Sequence, residues 1–539
     1  MTRRKFLELV SILAGSALIG WTPEPGWAKG RKDGGFDAVV IGAGLGGLSC
    51  AALMARNGLR PLVIEQHDIP GGYATSFQRE GDTGGTFQCE VSLHSTSAKS
   101  PDSRRLLSEM GVYDRLDFAD HKLIWSRVEP DGILDLPPNG IAGFEALLAQ
   151  RFPQEREGLG RFMAYWRKLL DELDAFQAKG MPALKVLFPL QYPTMWDVAG
   201  KSLGQVLGRF MADQKLKDMI AMTWGYYGLP PSKLAAFYYL IPMAEYLTHG
   251  GQYLRGTSQT LSDGLAAVIT ENGGTVLLGE RVREILLKDG RAAGVRTASG
   301  KTFTARAVVS NAAAPVTFGM LPKDVLPREY STRVSGFKPS LSSVIVWLGL
   351  NQDVTTIQPR AELSVELEPD PEVAYAAALR GDYAKSGIGC MIYDNLVPGF
   401  SPKDKSTITL MTLSGYEPWK RFEADYAAGR KHEYNLAKER MVKELVAVAE
   451  RTILPGLSKM IVMTEAATPL TNRRFTGNTD GAIYGYDQTP DNSFRSRLEN
   501  RTPVKGLYLA SAWAAPGGGF GGALLAGKQA FKNLVEDLG

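Results

Sequence analysis

Four residues near the start of the chain have the types and spacing that dinucleotide chemistry needs: Gly42, Gly44, Gly47 and Glu65. Gly42 permits a tight turn, Gly44 lets the backbone approach a pyrophosphate with no Cβ in the way, and Gly47 lets the next helix pack closely on a strand. The free N–H groups and the dipole at the start of that helix favour a doubly negative pyrophosphate. Glu65 is spaced to accept from both hydroxyls of a ribose, and a carboxylate there disfavours a 2′-phosphate, so NADP is not the expected ligand. Metal chemistry has little to build on. The five histidines include no HExxH pair, and Cys50, Cys89 and Cys390 include no CxxC spacing, so no metal site is expected. Cys50 reads as a small core residue. Cys89 and Cys390 can pair in an oxidising compartment, which the sequence leaves open.

The glycines work only if ordered elements hold them. Residues 37–41 read as an apolar strand, residues 42–47 as the turn, and an Ala/Leu/Met-rich helix runs to about Asn57. A second strand over 61–64 ends on Glu65, which completes strand, turn, helix, strand, acid. Beyond it, residues 116–250 look helix-rich, with helical periodicity over 157–178 and 202–223. A helix over 263–272 leads to short strands at 275–278, 294–297 and 307–309. Stronger strands follow at 340–350 and 407–413, and an amphipathic helix at 433–451. The chain closes with a strand at 506–510, a glycine run at 516–522 and a helix over 523–538. Glycine turns that feed helices thus stand near both ends of the chain, and such ends can meet over one cofactor.

At 539 residues, 44% apolar and 22% charged, the chain is globular with two or more domains. Its 61 basic and 57 acidic residues, with no concentrated Lys/Arg stripe, argue against a nucleic-acid partner. The first residues read differently from the rest. Arg3 and Arg4 precede an apolar run over 9–19 that is short for a membrane span, and Gly26-Trp27-Ala28 offers small residues for cleavage after Ala28. This resembles a twin-arginine export signal over residues 1–28, with Glu8 where that motif often has Lys; an uncleaved anchor helix is the alternative. The expected location is periplasmic, with membrane association as an option.

Four motifs in order extend the pattern: 41–65 continuing into 69–77 (IPGGYATSF); 253–264 (YLRGTSQTLSDG) with 281–285 and 308–311; 477–490 (GNTDGAIYGYDQTP); and 506–519 (GLYLASAWAAPGGG). On these motifs the chain resembles FAD-dependent oxidoreductases of the phytoene desaturase, carotenoid isomerase and retinol saturase family. The resemblance implies an α/β fold: a Rossmann-type, glutathione-reductase-like FAD-binding domain over 35–115, 251–315 and 470–539. An inserted mixed α+β substrate domain would occupy 116–250 and 316–469. It implies that Gly42, Gly44 and Gly47 bind the FAD pyrophosphate and Glu65 the adenosine ribose. Gly71 and Gly72 would pass close to the cofactor, and Val282 would meet the adenine through its backbone. Ser511, Gly518 and Phe520 would lie along the ribityl chain and flavin. Three departures bear on single hydrogen bonds: Tyr73 where many relatives have Arg, Ser511-Ala512 where many have an acid, and Glu90-Val91-Ser92 in place of Asp-x-Gly.

In this family the flavin carries the redox step and the protein positions an apolar C–C or C=C unit, which calls for a dry tunnel. Residues 181–196 and 237–247, apolar and aromatic with prolines, suit such a tunnel, a membrane contact or plain core packing. Glu90, His94 and Trp513 are the catalytic candidates; His94 is either a proton donor or a satisfied core histidine, while Trp513, Tyr484 and Tyr486 suit the substrate face. The leading expectation is hydride transfer between flavin N5 and a lipophilic, isoprenoid or carotenoid-like substrate. Flavin-dependent cis–trans isomerisation, amine oxidation and non-catalytic prenyl binding stand as alternatives. With no soluble NADPH pool outside the cytoplasm, oxygen, a quinone or a redox partner is the expected electron acceptor.

Overall fold

The computed structural model describes residues 35–538 apart from 131, 181, 183, 184, 494 and 495, so the expected signal over 1–28 lies outside the described residues. The strand Phe36–Ile41 is apolar and buried along almost its whole length, which suits a strand covered on both faces. It pairs in parallel with Pro61–Ile64 on one side and with the second half of Thr302–Ser310 on the other. The full sheet has seven strands. Thr275–Leu277 extends one edge, Val282–Lys288 and Arg291–Thr297 form an antiparallel ribbon at the other, and Leu507–Leu509 pairs in parallel with Thr302–Ser310. A strand from near the C-terminus thus ends beside the first glycine turn.

Two helices fix that juncture. The first, Leu45–Arg56, and the last, Phe520–Leu538, pack face to face at glycines. A Cβ on Gly46 would lie 1.8 Å from the Ala510 carbonyl oxygen, and one on Gly527 would lie 2.2 Å from the Gly46 oxygen. Ser49 Oγ adds a 2.8 Å hydrogen bond to the Leu524 carbonyl. The glycine-fed ends of the chain do meet.

A second seven-stranded sheet builds the other lobe, in the order Ile461–Ala467, Ser342–Leu350, Ser406–Ser414, Ile388–Ile392, Glu362–Val365, Trp125–Glu129, Gly132–Leu136. Its second strand, Ser342–Leu350, is buried throughout and pairs in full register with Ser406–Ser414. Alternation sorts its side chains: Val344, Val346, Leu348 and Leu350 enter one core, while Ser343 and Ile345 face the site. Three strands therefore fall inside the stretch read as helix-rich and one beside it, since Phe118–Asp120 also pairs with Gln252–Leu254. The periodicity over 202–223 resolves into two short helices, Leu203–Leu207 and Gln214–Ile220, because the first ends at Gly208 and Asp213 caps the second. Residues 188–198 pack Phe188, Tyr192 and Met195 into the helical core and do not line the cavity described next. Cys89 and Cys390 are free buried thiols, so the two do not pair.

Candidate active site

The first helix begins bare. Gly44, its N-cap, makes no side-chain cap, and no acid stands in the first turn, so its leading N–H groups are free to meet an anion. Gly42 adopts φ +90°, a conformation that L side chains rarely take. A Cβ on Gly44 would come 2.5 Å from Asn311 Nδ2, and one on Gly47 would sit 2.2 Å from the Gly42 carbonyl oxygen. Asn311 is tied in turn by its N–H to the Ile41 carbonyl at 2.8 Å. Glu65 clamps the turn: Oε2 accepts from Ala43 N at 2.7 Å and Oε1 from His67 N at 2.9 Å. Each oxygen keeps a lone pair for a ribose hydroxyl. Gly71 N donates to the Ala43 carbonyl at 2.8 Å, which draws the second glycine pair onto the first.

These groups open into a cavity of about 980 Å³. Gly42, Gly44, Glu65, Gly71, Gly72, Val282, Ser511, Gly518 and Phe520 all line it, as do His94 and Trp513. Gly47 stands behind the turn and acts by close packing. Glu90 does not reach the cavity. Its carboxylate is buried and takes hydrogen bonds from Tyr253 Oη at 2.9 Å, Ser258 N at 2.8 Å and Ser258 Oγ at 2.6 Å. Burial pushes its carboxyl up, and these bonds only partly offset that. Glu90 is thus an internal brace and not a group in contact with ligand. Tyr73, in the place of the expected Arg, lines the cavity and donates to the Gly481 carbonyl at 3.3 Å.

The far half of the cavity is aromatic. One side of the helix Ala236–His249 presents Phe237, Tyr238, Ile241, Pro242, Glu245 and Tyr246 to it, while Tyr239, Leu240, Met243 and Leu247 fill the core behind. Tyr226, Tyr227 and Tyr484 complete this chamber. Trp513 is buried, donates Nε1 to Asn478 Oδ1 at 3.2 Å and meets the ring of Tyr486 edge-on at 4.8 Å. Tyr486 itself stands behind the wall.

Arg497, fully buried, lay outside every motif read in the sequence. Its Nε donates to the Ala514 carbonyl at 3.0 Å and one terminal nitrogen to that of Ala512 at 2.5 Å. The other reaches Gln488 Oε1 at 3.0 Å and the Tyr486 and Asn492 carbonyls at 3.4 Å. Among the described residues it faces no carboxylate at bonding distance, and burial lowers its pKa to about 10. Asn311, Tyr226 and Glu362 were likewise given no role by sequence; only Asn311 fell inside a quoted motif.

A parallel sheet with a bare glycine-fed helix and an acid at the end of the second strand defines a dinucleotide-binding enzyme of the Rossmann type. Residues 45–533 match the family model described as flavin containing amine oxidoreductase. The chain belongs to this family: it is an FAD-dependent oxidoreductase. It is 26% identical to prolycopene isomerase 1 of an Oncidium hybrid cultivar, over 97% of this chain and 87% of that protein. It is 27% identical to 4,4'-diapolycopene oxygenase of a Methylomonas species (93% and 98% covered) and 25% identical to all-trans-retinol 13,14-reductase of Danio rerio (90% and 83%). Among solved structures it is similar to cyclohexylamine oxidase of Brevibacterium oxydans, with TM-score 0.60 and 16% identity over 94% of this chain and 99% of that one. An oxidoreductase of Methanosarcina mazei gives TM-score 0.57 and 19% identity, over 93% and 99%. The bare helix start, the Cβ-free turn and Glu65 fit the pyrophosphate and ribose of FAD. When bound, FAD supplies a two-electron acceptor or donor.

Proposed function

We propose that the chain adds or removes hydrogen at C–C bonds of a lipophilic, carotenoid- or retinoid-like polyene. The observation that carries this reading is the aromatic chamber continuous with the glycine turn: Tyr226, Tyr227, Phe237, Tyr238 and Tyr246 offer apolar faces to an extended hydrocarbon. The named activities of three relatives support the substrate class. The prolycopene isomerases among them favour a second reading, geometric isomerisation at constant hydrogen count.

We further propose export by the twin-arginine route, with oxygen, a quinone or a redox partner accepting electrons. Contact with a membrane surface is part of the same reading. Exposed Val186 and Leu190 support that contact, and no described helix is long and apolar enough to cross a membrane. The test is anaerobic mixing of the yellow holoenzyme with C40 carotenes, retinol and simple amines, followed by flavin absorbance and product mass. Flavin reduction by a polyene, with product two hydrogens lighter, supports the main reading, and so does reduced enzyme giving product two hydrogens heavier. Isomers of unchanged mass support the second. Reduction by amines alone overturns both.

A further inference from the structure

We propose that His94, Tyr226 and Glu362 form a proton relay in the cavity wall, in which His94 Nε2 exchanges a proton with the substrate carbon and Glu362 is the positioning residue. The proposal rests on the reading that hydrogen is added to or taken from a C–C bond in this cavity.

Three distant segments make the cluster. His94 follows the strand Thr86–Glu90, Tyr226 lies in the turn Trp224–Tyr227, and Glu362 opens the strand Glu362–Val365. His94 Nδ1 stands 3.1 Å from Glu362 Oε1 and 2.8 Å from Tyr226 Oη. The Tyr226 hydroxyl donates to the same Glu362 oxygen. With that hydroxyl spent on Glu362, Nδ1 is the donor to the pair, so the neutral ring carries its proton on Nδ1. Nε2 then remains as the basic nitrogen, with no hydrogen-bond partner among the described residues. His94 and Tyr226 line the cavity, and Glu362 stands behind them with only 6% of its side chain exposed.

The backbone under the imidazole is pinned at three consecutive carbonyls. Tyr393 Oη donates to that of Leu93 at 3.0 Å, His121 Nε2 to that of His94 at 2.9 Å, and Tyr246 Oη to that of Ser95 at 3.0 Å. Trp125 holds the Tyr226 ring edge-on at 4.8 Å. A histidine needed only for packing would not require this precision or a buried anion. Glu362 Oε2 has no hydrogen-bond partner among the described residues, so the carboxylate is held through Oε1. Burial alone would raise its pKa, but the protonated form of His94, with lesser help from His121 and the Tyr226 hydroxyl, outweighs that and lowers it. Burial, with Glu362 next, drives Tyr226 far up, so it stays a neutral hydroxyl.

Desaturation breaks two C–H bonds on adjacent carbons and forms one π bond. One hydrogen would leave with its electron pair as hydride, for which bound FAD would supply the two-electron acceptor; the other leaves as a proton, which Nε2 takes. The imidazolium so formed faces Glu362. Saturation returns the same proton.

The test is ¹⁵N NMR of histidine-labelled holoenzyme, with H94Q assigning the signal, beside steady-state kinetics on the polyene that the wild type turns over. We expect neutral His94 to carry its proton on Nδ1 in the wild type and to become a tautomer mixture in E362Q. We expect E362Q and H94Q to lower kcat by ~100-fold, the smaller end of general acid–base effects, with KM and flavin content nearly unchanged. Should E362Q lose its flavin, Y226F serves as the second variant, with the same tautomer mixing expected. An Nε2–H ring in the wild type overturns the relay, as do variants that change neither tautomer nor kcat. Failure to find a polyene substrate tells against the substrate reading alone, because the tautomer is read without one.

Discussion

At the scale of single residues, the cofactor site depends on atoms that are missing. Gly44 lies so close to Asn311 that any side chain must push one of them away. Overpacking of this kind costs about 1–3 kcal/mol, so Gly44→Val is expected to weaken FAD binding by ~10–100-fold. Fluorescence titration of apoprotein with FAD measures it, and unchanged affinity would show that the turn is looser than its contacts indicate. The glycines and Glu65 were legible because turn geometry and ribose recognition allow few residue types. His94 was legible only as an alternative between donor and core residue. What decides it is Glu362, 268 positions away, and no spacing rule links two residues so far apart.

At the scale of elements, long strands and helices were readable, and so were short strands beside glycine turns such as Pro61–Ile64 and Thr275–Leu277, but other short strands were not. Residues 340–350 and 407–413 were read as strands and appear as Ser342–Leu350 and Ser406–Ser414; 433–451 appears as the helix His432–Thr452. The strands carry near-continuous buried runs, and the helix carries enough buried residues to show its period. The strands Glu362–Val365 and Trp125–Glu129 are short and owe their form to neighbours across the sheet. Arg497 was invisible for a related reason: its partners are main-chain carbonyls, which leave no mark on sequence. It binds the 486–492 segment to Ala512 and Ala514 beside the flavin wall. Each carbonyl stripped of its donor costs about 1–3 kcal/mol. Arg497→Met is therefore expected to lower both melting temperature and flavin content. Arg497→Lys should fail to restore them, because one ammonium cannot span both segments. Thermal melts with the ratio of flavin to protein absorbance decide this.

At the scale of the whole molecule, a half-buried acid shapes stability against pH. Burial raises Asp487 to about 7, against the pull of Lys338, Lys233 and Arg497. A carboxyl whose folded pKa exceeds its unfolded one contributes stability that is fully present below the unfolded pKa, near 4, and lost as pH rises through 7. Asp487→Asn should thus match the wild type near pH 4 and melt a few degrees higher at pH 8. Melting curves across that range check the sign, and a variant less stable at pH 8 would reverse the argument.

The packing of Gly46 against Gly527 also sets an order of events in synthesis. The glycine turn is made well before the helix Phe520–Leu538 that packs against it. Until that helix is made, the turn lacks part of its walls and the apolar face of Leu45–Arg56 is bare, a surface for chaperones and not for a nucleotide. Flavin loading accordingly follows synthesis of that second helix, and the cofactor, once seated, registers that both glycine-packed helices are in place.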